Sequence, residues 1–165
     1  MNLYALHTNP EQLEGYENRL RVPELAYEYG RRHGFKDELV SVVAKDTKYA
    51  YQYAFDVIRG RFPEGEAAIA KDPESACEYA QWFIGGRFPE AESAIAKDPQ
   101  WAFHYAKWFI KGRWPEAEPV IAKDPEWAYF YARGVIGGRW PEGEAAIAKD
   151  PYWAVKYEIN FDIEL

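Results

Sequence analysis

A chain of 165 residues, 48% hydrophobic and 28% charged, is long enough to bury a core and too apolar to stay disordered. A net charge of −7 with no run of Lys or Arg argues against nucleic-acid binding, which needs clustered cations to displace counterions. Cys77 is the one cysteine, so no internal disulfide forms and a cytoplasmic setting is expected; no stretch of 18 apolar residues spans a membrane, and residues 1–19 do not read as a signal peptide.

Along the chain, residues 1–43 read as a divergent N-terminal cap, irregular or weakly helical to residue 22. A degenerate repeat at 23–46 follows, in which Pro23, Ala26 and Tyr29 keep a helical pattern. Four regular repeats fill 44–147, and 148–165 is a C-terminal capping helix with an acidic and apolar tail. The tripeptide Ala-Lys-Asp begins at Ala44, Ala70, Ala96, Ala122 and Ala148, a spacing of 26 residues. Gly60, Gly86, Gly112 and Gly138 recur in phase, followed by Phe62, Phe88, Trp114 and Trp140 and then by Pro63, Pro89, Pro115 and Pro141. A period of that length predicts a helical repeat.

Each unit reads as two helices. Asp72, Asp98, Asp124 and Asp150 stand directly before proline, the pairing of an N-cap with a first helical residue. In one copy Ala128, Tyr131, Ala132, Val135 and Ile136 form an apolar stripe at helical spacing. The phased glycine is expected to end this first helix as a left-handed cap. The second helix is expected to start at the phased proline, with glutamates such as Glu142 and Glu144 in its first turn and Lys149 in its last, as the helix dipole favours. The aromatic before that proline should staple onto the following turn. Neither helix can bury its stripe alone, so the expected fold is all-α: a 26-residue helix-turn-helix unit stacked about six times as one α-solenoid domain.

Little in this pattern suggests catalysis. His7, His33 and His104 are scattered, no Cys/His cluster has metal-ligand spacing, and the glycines end helices instead of opening a phosphate loop. Cys77 replaces an apolar residue at its phase and reads as a packed thiol. The ladder of Glu64/Glu66, Glu90/Glu92, Glu116/Glu118 and Glu142/Glu144 lies beside Arg61, Arg87, Arg113 and Arg139. A catalyst needs one special carboxylate pair, not four copies, so these are expected to be ion pairs within or between repeats. The chain is expected to be no enzyme and to use no metal or cofactor.

Function is then left to positions that do not repeat. One first-helix position carries Gln52, Glu78, His104 and Phe130; three residues on come Phe55, Gln81, Lys107 and Arg133; the next holds Asp56, Trp82, Trp108 and Gly134. Gln52, Phe55, Glu78, Trp82, His104, Lys107, Trp108, Phe130 and Arg133 are the candidate partner-binding residues, because aromatic anchors beside cations are an interface composition. Trp82 and Trp108 could equally pack on the preceding repeat. Trp101, Trp127 and Trp153, which are in phase with Tyr49, read as core.

The unit AKDPEWAYFYARGVIGGRWPEGEAAI resembles a repeat of uncharacterised proteins from tailed bacteriophages and related viral genomes, well over residues 44–159 and weakly over 23–43. That resemblance brings no activity. It implies a phage gene expressed in a bacterial cell and a host protein, including a component of host immunity, as the partner bound or inhibited. The alternative is a sponge, in which Trp and Arg in a groove sequester a nucleotide-like signal. Neither reading involves nucleic acid or a membrane, and the oligomeric state stays open.

Overall fold

The computed structural model describes residues 20–165, and all regular structure among them is helical. The expected cap at 1–22 and His7 lie almost wholly outside the described residues. The chain divides into two compact units, the first ending at Ser75 and the second running Ala76–Leu165, with the boundary inside the helix Pro73–Tyr79.

In the first unit the degenerate copy forms helices Pro23–His33 and Asp37–Val43. Thr47–Tyr53, the π-helical turn Ala54–Ile58 and Pro63–Ile69 follow. Ala26, Leu39, Val43, Ala50, Tyr53, Phe62 and Ile69 form its core. Tyr29 is only half-buried and stacks on His33, whereas its neighbour Tyr27 is buried and donates its hydroxyl to Asp56.

In the second unit the first helices are Pro99–Tyr105, Pro125–Tyr131 and Pro151–Phe161, and the second helices are Pro89–Ile95, Glu118–Ile121 and Pro141–Ile147. The starts follow the capping chemistry. Asp98 accepts the amide of Trp101 at 3.0 Å, and Asp124 accepts those of Glu126 and Trp127 at 3.0 and 3.1 Å. One second helix departs from expectation: it begins at Glu118, not Pro115. Pro119 has no N–H to donate one turn back, so residues 115–117 stay a turn.

The ends of the first helices differ more. After seven α-helical residues the coil widens to π-helical turns at Ala80–Ile84, Ala106–Ile110 and Ala132–Ile136. In such a turn amides donate five residues back, as Gly137 does to Ala132 at 2.8 Å. The widening rotates the last residues off the 3.6-residue stripe. Ala128, Tyr131 and Ala132 are fully buried, but Val135 and Ile136 only half so. The left-handed residue is also one place earlier than predicted. Arg59, Gly85, Lys111 and Gly137 have φ of 56°, 71°, 60° and 73°, whereas Gly60, Gly86, Gly112 and Gly138 are not left-handed. The phased glycine is the residue after the cap, and Gly60, Gly112 and Gly138 donate six residues back.

The repeats lock together through one tyrosine each. Tyr105, Tyr131 and Tyr157 are fully buried. Their rings face Phe109, Trp114, Trp140 and Phe161 with centroids 4.6–5.2 Å apart. Phe62 and Trp140 lie over Gly65 and Gly143 three residues on, where a Cβ would meet the ring; glycine offers no apolar side chain there, so the contact is close backbone packing and not the expected staple. Small residues at 102, 106, 128 and 132, all alanine and all buried, let first helices of adjacent repeats approach.

Candidate functional site

One periodic polar network runs through the second unit and is satisfied within the protein. Arg87, Arg113 and Arg139 each form a two-pronged pair with the glutamate five residues on, Glu92, Glu118 and Glu144, at 2.7–2.9 Å. The same glutamates accept the hydroxyls of Tyr105, Tyr131 and Tyr157 from the next repeat at 2.9–3.1 Å. Hydrogen bonds from the guanidinium groups hold all three carboxylates below their ordinary range. Burial pushes the tyrosines up, and the glutamate contact adds to it. Arg61 pairs with Glu66 in the first unit. The structure thus selects the second glutamate of each predicted pair. Of the first set, Glu142 lies within ion-pair reach of Arg113 at 3.8 Å.

The unphased positions look different. Trp82 and Trp108 are 62% and 61% exposed, which decides between surface and core for both. Phe55, Lys107 and Arg133 are exposed too, whereas Gln52, Glu78, His104 and Phe130 are half-buried. Gln52 and Phe55 belong to the first unit and the remaining candidates to the second.

Within the second unit the candidates fall into two groups. Lys107 places its ammonium 5.2 Å from the Trp108 ring and 5.6 Å from that of Phe103. His104 and Phe130 instead join a ring cluster with Phe103, Trp127 and Trp153, at centroid distances of 5.2–6.0 Å. Burial, then the charge of Lys107, lowers the His104 pKa, so its ring is neutral near pH 7. Trp127 and Trp153, expected in the core, are half-buried plates that cover Phe103 and Tyr129 of the preceding repeat. Cys77 occupies the same position as Phe103 and Tyr129; it is buried, and its thiol reaches the Trp101 carbonyl at 3.9 Å.

Beside Trp108 lies an open groove of about 460 Å³, lined by Gln81, Gly85, Gly86, Trp108, Phe109 and Lys111. Lys111 escapes a sequence reading because it stands where two other repeats have the glycine of a helix stop. No group of three or more potential metal ligands occurs among the described residues, and no helix there is long and apolar enough to cross a membrane. Set against known proteins, the chain matches no family model, no curated protein and no solved structure.

Proposed function

We propose that the protein is a non-enzymatic interaction module: one α-solenoid that binds, and by binding inhibits, a protein of a bacterial host. The observation that carries this reading is the exposure of Trp82 and of Trp108, the latter beside Lys107, in a fold that buries Tyr105, Tyr131, Trp114 and Trp140. Exposed large aromatics, tryptophan above all, are what alanine scans find at the centres of interfaces. The repeat's resemblance to phage sequences supports a phage gene acting in the host cytoplasm, with defence proteins among the targets.

Pull-down from a bacterial lysate with mass spectrometry tests the module. Wild type should retain a specific protein that the double variant Trp108→Ala/Lys107→Ala does not, while the two melt at nearly the same temperature. A clean blank for wild type, or equal capture by both, would count against it. A second reading, a small-ligand sponge, draws on the groove at Trp108, which falls in the usual size range of ligand pockets. Thermal shift with a panel of cyclic nucleotides separates the two, since only the sponge is stabilised.

A further inference from the structure

The charges around Trp108 point to the chemistry of the partner. The ladder arginines are already matched by glutamates, so they offer no free charge. Lys107, Lys111 and Arg133 are exposed, and none makes an ion pair among the described residues. At the unphased first-helix positions of the second unit the one carboxylate is Glu78, half-buried and in the repeat before Lys107. Two uncompensated cations thus flank an exposed indole, Lys107 at its ring and Lys111 in the groove, with Arg133 at the Lys107 position of the next repeat, on a chain of net charge −7.

The backbone bears on the shape of the ligand. Around the groove the Gly85 amide is bonded to Ala80 at 2.8 Å, the Lys111 amide to Ala106 at 2.7 Å and the Gly112 amide to Ala106 at 3.3 Å. These donors complete helix ends, which leaves the Gly86 amide alone among the groove's glycine amides, too few for the cradle that holds a compact phosphate. The cations are instead spread along the repeats. Lys107 and Arg133 hold the same position in adjacent first helices, which pack roughly 10 Å apart. An extended chain in the polyproline II form has three residues per turn and advances about 3.1 Å per residue, so side chains three residues apart share a face and lie about 9 Å apart, close to that step.

We infer that the exposed face around Trp108 takes an extended acidic segment of the partner protein that runs across adjacent first helices, with one aromatic ring against Trp108 and carboxylates three residues apart on Lys107 and Arg133. Lys111 attracts the segment at the end of the groove. The inference rests on the interaction-module reading and gives that partner a chemistry. Lys107 already lies over the indole, so an incoming carboxylate meets a positioned cation with a ring beneath it.

Fluorescence anisotropy with labelled Gly/Ser peptides tests it. The probe holds one tyrosine and two glutamates three residues apart; its controls carry glutamine or lysine in place of glutamate. Wild type should bind the glutamate peptide at least about tenfold more tightly than the glutamine one, and added salt should erase the difference. Lys107→Glu/Lys111→Glu, and separately Arg133→Glu, should lose that preference while melting like wild type, since all three side chains are exposed. Equal binding of the two peptides, no binding of either, or an unchanged preference in both variants would overturn the inference. Displacement of the peptide by ATP alone at equal concentration would assign the groove to a nucleotide instead. If no peptide binds yet Trp108-dependent capture from lysate persists, the acidic chemistry is wrong and the module stands. If both fail, both fall.

Discussion

The hydroxyl of Tyr131 accepts the backbone amide of Trp114, seventeen positions earlier, at 2.7 Å. It passes its own proton toward Glu118 at 2.9 Å, and Arg113 clamps that carboxylate. One buried oxygen therefore joins the start of a second helix to the first helix of the next repeat. Tyr105 and Tyr157 do the same with Phe88 and Trp140.

Tyr131→Phe keeps the ring but leaves the Trp114 N–H buried without an acceptor. Such an orphan costs about 1–3 kcal/mol, so the urea midpoint should fall accordingly. An unchanged midpoint would mean that water replaces the hydroxyl.

The same network sets the pH range of stability. Glu92, Glu118 and Glu144 are depressed in the folded chain, so their contribution is complete above the unfolded value of about 4.3 and drains as pH falls through the folded values. Tyr105, Tyr131 and Tyr157 are raised, and Tyr27 is pushed up to about 12. Their contribution is complete below about 10 and is lost as pH climbs beyond it. His104, depressed by burial, begins to cost stability as pH falls below its unfolded value of about 6.5, so denaturation midpoints should be flat between about 6.5 and 10, slope down below that range and drop on both sides beyond the carboxylate and tyrosine limits. A midpoint that holds steady well into the alkaline range would show that the tyrosines ionise without unfolding.

Arg59 and Lys111 hold left-handed backbone where Gly85 and Gly137 hold it without penalty. An L-residue there costs about 1–2 kcal/mol, so Lys111→Gly should raise the thermal midpoint and Gly85→Ala should lower it. A fall on Lys111→Gly would show that the side chain contributes more than the strain removes.

Trp140 buries an indole N–H that has no hydrogen-bond partner. Phe62 and Phe88 fill the same position in other repeats, which shows that a phenyl ring fits there. Trp140→Phe should therefore change stability by less than about 1 kcal/mol, because relief of the unpaired donor offsets the lost volume. A loss beyond about 3 kcal/mol in chemical denaturation would contradict this.

Helix starts could be read from sequence because an N-cap needs a side-chain acceptor at a defined place, and Asp98 and Asp124 supply it. The glutamate that pairs with each arginine could not, since Glu116 and Glu118 look alike until the chain is folded. The π-helical turns left no trace either: no residue type requires one, and Arg59 and Lys111 conceal the left-handed site that Gly85 and Gly137 would have marked. At the candidate site, periodicity separated Lys107 and Trp108 from the scaffold. The half-burial of His104 and Phe130 depends on Trp127 and Trp153, rings of neighbouring first helices that a single helical wheel does not contain.

The tyrosine hydrogen bonds that couple successive repeats in the second unit reach 13 and 17 positions along the chain, and the arginine clamp on the shared glutamate reaches 5, each less than one 26-residue period. Any edit that inserts or removes one whole period there returns every donor to an acceptor of the same kind. An edit of another length separates arginine, glutamate and tyrosine together. A gain or loss of one whole period is therefore the change of length that this bonding pattern accommodates, and it leaves the surface of each retained repeat as it was.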